Sequence, residues 1–238
     1  MRLEPLTLPL LLAALAATPS GAQIAYLTGA SGGTIDTSGR VCSDDNLYIH
    51  HDGTFEFGVA WDGAGVQAPY DGCFGEAFDL GPGTVECVSV WICQHGSYLG
   101  QSTDVYVWEG GVTGAPGNVL ALVTDVVFEN VPYWPDVARY DVEIPVEVAS
   151  GVTAGSWGNW PGHYLGYFWL TDLDGHSDYS WTHVAEGLGY PPGWQHPSLE
   201  ELWGREMSMG IGVHFTSNST PAEGATWGMV KSLFAPGR

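Results

Sequence analysis

The chain has 238 residues and a formal net charge of −21, from 6 Lys and Arg against 27 Asp and Glu. Its length favours one domain with small appendages, and its 45% of apolar and 13% of aromatic residues exclude a disordered chain. The shortage of basic residues gives a negative field that repels phosphate backbones and anionic lipid surfaces, so nucleic-acid binding is excluded.

Residues 1–22 are predicted to be a secretory signal peptide. Residues 6–17 are almost all Leu and Ala and follow Arg2, and this run of about 12 residues is too short to cross a bilayer. Ser20 and Ala22 satisfy the small-x-small cleavage rule, so the mature chain is expected to begin at Gln23. We therefore expect a secreted or outer-surface location and no membrane span.

Export would place four cysteines in an oxidising compartment: Cys42, Cys73, Cys87 and Cys93. Cys87 and Cys93 lie six residues apart in a predicted strand. That spacing separates them by roughly 20 Å, beyond the reach of a disulfide. If two bridges form, Cys42 and Cys73 should each pair with one of the other two. Metal binding is the alternative, but the chain has no CxxC spacing.

A β domain is predicted at residues 42–216, after a flexible Gly/Ser/Thr leader at 23–41. Asp52-Gly53 predicts a two-residue hairpin between flanking strands. Residues 141–148 alternate strictly, with acids outward and Val or Ile inward, and Pro145 places this strand at a sheet edge or a bulge. Further strands are predicted at 104–108, 119–128, 164–171 and 207–215.

Helical spacing occurs twice. Ser198 and Glu201 form a capping-box pair that predicts a short helix near 198–203. After a polar linker at 217–225, the tail at 226–238 places Trp227, Val230 and Phe234 on one helical face. This amphipathic tail is expected to dock either on its own domain or on a partner. The remaining pattern of short strands and Gly/Pro turns predicts an all-β, antiparallel sandwich.

Several motifs are similar to jelly-roll β-sandwich modules of exported bacterial proteins. They lie at residues 52–56, 76–80, 104–107 and 114–121, and the resemblance covers about residues 48–215. It implies a jelly-roll sandwich, an exported location and a non-catalytic accessory or surface domain that binds glycan. The segment at 226–234 resembles the short T-W-G-x-[IV]-K-x-L-[FY] tails of exported Gram-negative proteins.

Aromatic residues in the second half of the chain are candidates for glycan contact. Trp169 lies between Phe168 and Leu170 in a predicted strand and is expected in the core. Trp157, Trp160 and Trp194 lie in Gly/Pro-rich segments where little packing is expected. Aromatic residues in loops contribute to binding more often than those in the framework. The glycan-contacting residues are therefore predicted to be Trp157, Trp160, Tyr164 and Trp194.

Three carboxylates, Asp172, Asp174 and Asp178, lie within seven residues. Hard oxygen ligands in a turn suit Ca²⁺, although the spacing is not that of an EF-hand. The alternative is a solvated acidic turn. No histidine pair has the spacing of a metal site or a catalytic motif.

These observations predict a non-catalytic secreted or cell-surface module that binds glycan or another matrix component. The first alternative is a structural subunit that assembles through exposed strands or the tail. The second is a secreted glycoside hydrolase whose carboxylate pair is not recognisable from sequence spacing.

Overall fold

The computed structural model describes residues 23–29, 35–62, 73–95, 102–158, 167–174, 179–186 and 189–218, without the side chains of 23–26 and 62. These residues form fifteen strands and one 3₁₀ turn at Asp44–Asn46, with no α-helix among them. The strands are β1 Gln23–Thr28, β2 Ile35–Gly39, β3 Leu47–Ile49, β4 Phe57–Asp62, β5 Cys73–Phe78, β6 Gly83–Cys93, β7 Ser102–Gly110, β8 Pro116–Val127, β9 Val137–Val148, β10 Val152–Trp157, β11 Phe168–Asp172, β12 Ser180–Val184, β13 Gly193–Gln195, β14 Ser208–Met209 and β15 Ile211–Ser217.

The strands form two sheets, which confirms the predicted all-β sandwich. One sheet has nine strands, of which β1-β4-β11-β6-β15-β3 form the main path. In addition, β9 pairs with the other side of β6, β2 pairs with β9, and the short β14 pairs with β11. The other has six strands in the order β13-β12-β5-β10-β7-β8. All pairs are antiparallel except β2 with β9.

The core lies between the two sheets and is built by alternate residues of each strand. Val88, Val90 and Ile92 of β6 contribute to it from one sheet, and Val105 and Val107 of β7 from the other. Strand period two sends the intervening residues to the outer faces. Those outer faces carry the polar and aromatic groups considered below.

Both expectations for Pro145 are confirmed. The register of β9 against β6 passes from Glu143–Cys87 to Val146–Val85, so two residues of β9 oppose one of β6 at Pro145. On its other side β9 pairs with β2 only between Val137 and Tyr140, so Pro145 lies where that side has no described partner strand. A residue without a backbone N–H fits such a place because no ladder bond is lost.

The predicted hairpin at Asp52-Gly53 is wrong. In the sheet, β3 and β4 are separated by β11, β6 and β15. The Asp52 carboxylate instead accepts hydrogen bonds from the N–H and the hydroxyl of Thr54, both at 2.7 Å, and Gly53 has φ +98°. This side-chain turn replaces a strand-to-strand turn, and it carries the chain across the outer face of the nine-stranded sheet.

Two other segments differ from their predicted conformation. The expected leader at 23–41 contains β1, which pairs with β4 at all six residues, and β2, which pairs with β9. Strands pair through hydrogen bonds between backbone N–H and C=O groups, and a sequence rich in Gly, Ser and Thr has these groups as well.

The helix predicted at 198–203 is instead a pair of turns, in which the N–H groups of Leu202 and Gly204 both donate to the Leu199 carbonyl.

The Cys42–Cys87 disulfide is present and confirms one of the two expected bridges. The second bridge, between Cys73 and Cys93, does not form, because these two cysteines are buried in different sheets.

The predicted signal peptide, the tail at 226–238 and most of the linker lie outside the described residues. Within the described part of the chain, no helix has the length and apolar character needed to cross a membrane.

Candidate functional site

The outer face of the six-stranded sheet carries a cluster of aromatic rings that we call the aromatic platform. Because side chains alternate between the two faces of a strand, these rings lie on the face of the sheet away from the core, into which Val105 and Val107 project. The cluster spans the sheet from β7 to β13, over five neighbouring strands. Its members are Tyr106, Trp108, Trp157, His183 and Trp194.

The rings of the platform form a continuous set of contacts. The centroid of His183 lies 4.9 Å from that of Trp157 and 5.3 Å from that of Trp194. Trp194 meets Trp108 edge to face at 5.2 Å, and Trp108 stacks on Tyr106 at 4.8 Å with an interplanar angle of 4°. Offset and edge-to-face arrangements are the favourable ones for aromatic pairs, so each ring fixes the next.

Two glycines form the floor of the platform. Gly75 of β5 and Gly155 of β10 are cross-strand partners, and Gly155 is also paired with Tyr106 of β7. The ring of Trp108 reaches across β10 and lies 3.8 Å from the position that a Cβ on Gly75 would take. The missing side chain of Gly75 therefore leaves room for the Trp108 ring, whereas that of Gly155 lets β10 approach the Phe74 carbonyl of β5.

The platform is uncharged at neutral pH and partly accessible. Tyr106, Trp157, His183 and Trp194 are half-buried, whereas Trp108 is buried. Burial lowers the pKa of His183, so its imidazole is neutral, and its Nδ1 has no hydrogen-bond partner among the described residues. Burial, together with the charge of Asp104, raises the pKa of Tyr106 and keeps its phenol protonated.

The sequence predicted part of this platform. Trp157 and Trp194 are brought together on the two sides of His183, although they lie at the end of β10 and within β13 rather than in loops. Trp160 and Tyr164 lie outside the described residues. Tyr106, Trp108 and His183 were missed. The sequence pattern that could have predicted Tyr106 and Trp108 is the alternation of Val with aromatic residues in β7, because it gives this strand an apolar side chain on both faces.

A second cluster, which we call the acidic corner, consists of Asp52, Glu56, Asp172 and Asp174. Carboxylate oxygens of Asp52, Asp172 and Asp174 lie within 4.8 Å of one another. Asp172 is fully buried and accepts hydrogen bonds from the backbone N–H of Asp52 at 2.8 Å and of Asp174 at 3.0 Å. Glu56 accepts from the N–H of Leu173 at 3.1 Å. The corner thus joins the β3–β4 connection to the end of β11.

The charges of the corner perturb one another. A hydrogen bond to Asp172 and the negative charges of Asp172 and Glu56 raise the pKa of Asp174, whereas hydrogen bonds from Thr54 lower the pKa of Asp52. Burial lowers the pKa of the adjacent His51 to about 4, so this imidazole is neutral and adds no positive charge. Of the predicted metal ligands, Asp172 and Asp174 are together, Asp178 lies outside the described residues, and Asp52 was missed.

A buried polar network on the outer face of the nine-stranded sheet contains Ser89, Arg139, Asp141 and His214. Ser89 Oγ lies 2.7 Å from Asp141 Oδ1 and 2.8 Å from His214 Nε2, and Arg139 Nη2 donates to both Ser89 and His214. His214 Nδ1 donates to the Ser43 carbonyl at 2.7 Å.

This network has the residue types of a hydrolytic triad but not its connections. In a triad the acid binds Nδ1 of the histidine. Here Asp141 instead binds Ser89 and accepts from the N–H groups of Val41 and Cys42. The serine hydroxyl is also fully buried. The network therefore fastens the segment around the Cys42–Cys87 disulfide to the sheet.

A half-open pocket lies where β12 approaches the segment before β14. The His196 ring contacts Trp181 of the outer face at a centroid distance of 3.8 Å. Glu206 is the carboxylate among its described lining residues, which are Ser180, His196, Pro197, Ser198, Arg205, Glu206 and Met207. A glycosidase pair would require a second carboxylate across this opening.

Comparison of the chain with protein families, with curated proteins and with solved structures found no match.

Proposed function

We propose that this protein is an exported, non-catalytic module that binds a neutral glycan on the aromatic platform. One observation carries the proposal: Trp157 and Trp194, from distant parts of the chain, flank the same neutral imidazole on an outer face and remain half-buried. Aromatic faces pack well against the C–H faces of sugar rings, while Tyr and His supply hydrogen-bonding groups.

The size and charge of the platform support this ligand class. The rings of the platform come from strands up to four places apart in the sheet, but they converge, since the centroids of Trp108 and Trp194 lie only 5.2 Å apart. They therefore form a compact aromatic face that suits one or two sugar rings of a glycan. The net charge of −21 disfavours polyanions, so a neutral glycan is the better partner. Export is supported by the signal-like N-terminal sequence and by the Cys42–Cys87 disulfide.

The proposal is tested by pull-down on insoluble polysaccharides and by a glycan array. Trp157→Ala and Trp194→Ala are each expected to weaken binding by about five- to thirtyfold, because one aromatic face contributes on the order of 1–2 kcal/mol. Tyr133→Ala is the matched control, since Tyr133 is an aromatic residue with 54% exposure outside the platform. Unchanged binding in both Trp variants would exclude this surface. Release of soluble sugars by the wild type would instead favour the hydrolase alternative.

Assembly into a structural subunit is the second candidate, and edge strand β8 favours it. Val119, Leu122 and Val127 of this strand are 51%, 44% and 56% exposed, and β8 pairs only with β7 among the described strands. An apolar strand edge is a template for pairing with another chain. Light scattering at increasing concentration tests this candidate. Assembly is expected to be lost in Leu122→Lys, and a wild-type protein that stays monomeric at all concentrations would exclude it.

A further inference from the structure

We propose that the acidic corner is a Ca²⁺ site whose ligands are Asp52, Asp172 and Asp174. This inference does not depend on the proposed glycan site, because the corner lies on the nine-stranded sheet and the platform on the six-stranded sheet. The ligand set is not local in sequence, since Asp52 comes from the β3–β4 connection and the other two from the end of β11.

The spacing of the oxygen atoms suits a large cation. Ca²⁺ binds oxygen at about 2.3–2.6 Å, so two of its ligands can lie up to about 5 Å apart. The three carboxylate oxygens lie within 4.8 Å of one another, close to the spread that three ligands of one Ca²⁺ have, and small rotations of the exposed Asp52 and Asp174 carboxylates would bring all three into contact with it. Mg²⁺ binds oxygen at about 2.1 Å in strict octahedral geometry, so it would require the three oxygens to converge further than Ca²⁺ does.

A buried hydroxyl group on the same face is a second, independent indication of a ligand. Ser208 is the cross-strand partner of Asp172 in the β11–β14 ladder, so both side chains project to one face. Ser208 is fully buried, and its Oγ has no hydrogen-bond partner among the described residues. A buried hydroxyl without a partner is unfavourable, and a cation held by Asp172 would provide one.

The charge balance around the corner also favours a bound cation. Glu56 brings a fourth carboxylate to the same place, through its hydrogen bond to Leu173. The described arginines are engaged elsewhere: Arg40 and Arg139 pair with Asp44, and Arg205 packs over the Phe57 ring. A divalent cation would therefore neutralise a charge cluster that the described side chains leave unbalanced, and it would bind the β3–β4 connection to β11.

The test is a titration of the full mature chain, freed of metal with EDTA, followed by calorimetry with CaCl₂ and by thermal unfolding. Ca²⁺ is expected to bind with one-to-one stoichiometry and to raise the unfolding temperature by several degrees. Asp52→Asn and Asp174→Asn are each expected to weaken Ca²⁺ binding by about tenfold or more. Both residues are exposed, so these variants should fold.

Two further variants keep the result interpretable. Glu143→Gln removes the same charge from an exposed position on β9, and it should leave Ca²⁺ affinity unchanged. Ser208→Ala should weaken Ca²⁺ binding several-fold without lowering the stability of the metal-free protein, because it deletes a buried hydroxyl that has no partner. Equal losses in Glu143→Gln and Asp174→Asn would show binding to the acidic surface in general. That result, or an absence of binding by the wild type, would overturn the proposal.

Discussion

Replacing Arg139 by Ala tests how the segment around the disulfide is held to the nine-stranded sheet. The Arg139 side chain is 5% exposed and donates to Asp141 Oδ1 at 2.9 Å and to Asp44 Oδ1 at 2.7 Å. Loss of one partner of a buried ion pair destabilises a protein by about 3–5 kcal/mol. Because Asp141 would keep its hydrogen bonds from Ser89, Val41 and Cys42, we expect the lower end, about 3 kcal/mol.

Arg40 provides a matched control for this substitution. It pairs with the same Asp44 at 2.7 Å, but the two side chains are 34% and 46% exposed. An exposed pair contributes about 0–1 kcal/mol, so Arg40→Ala should be nearly neutral. The measurement is equilibrium urea unfolding at pH 7 with the disulfide intact. Equal and small losses for Arg139→Ala and Arg40→Ala would refute the reasoning.

Three further predictions concern single buried positions. Burial would raise the pKa of Asp141, but hydrogen bonds and Arg139 hold it below its usual value. Its stabilising contribution is therefore present above about pH 4 and lost as the pH falls below that, and urea unfolding of Asp141→Asn should lack this acid-dependent part. Burial raises the pKa of the Cys93 thiol to about 12, so peptide mapping should find it alkylated at pH 8 only after unfolding. A Cβ at Gly155 would collide with the Phe74 carbonyl, so Gly155→Ala should lower the free energy of unfolding by about 2 kcal/mol or more. Gly81 has open space around it, so Gly81→Ala should leave the unfolding temperature nearly unchanged.

The strands could be predicted because their side-chain pattern is local. The alternation at 141–148 predicted both β9 and the irregularity at Pro145, since a ladder cannot use a residue without an N–H. The residues flanking each tryptophan likewise distinguished Trp169, which is 1% exposed in the core, from the half-buried Trp157 and Trp194. These outcomes required only the periodicity of the strand and the composition of its flanks.

The order of the strands and the contents of the sites could not be predicted in the same way. Asp52 meets Asp172 only because β3 and β4 are separated in the sheet and the chain must cross its outer face. Local turn chemistry favoured a hairpin at this place. Similarly, Trp108 joins the platform because its ring reaches over Gly75 of β5, two strands away, and that coincidence depends on the register of three strands.

The two outer faces of the sandwich differ in what covers them, and this difference leads to a final prediction. The nine-stranded face is covered by its own chain through the Cys42–Cys87 disulfide and the packing of Phe55 near Trp91. The six-stranded face keeps half-buried rings available. EDTA should therefore lower the unfolding temperature of the protein. At temperatures well below unfolding, it should leave the glycan affinity unchanged, as measured by calorimetry with an oligosaccharide. A marked loss of glycan affinity in EDTA would instead show that the corner and the platform are coupled through the core.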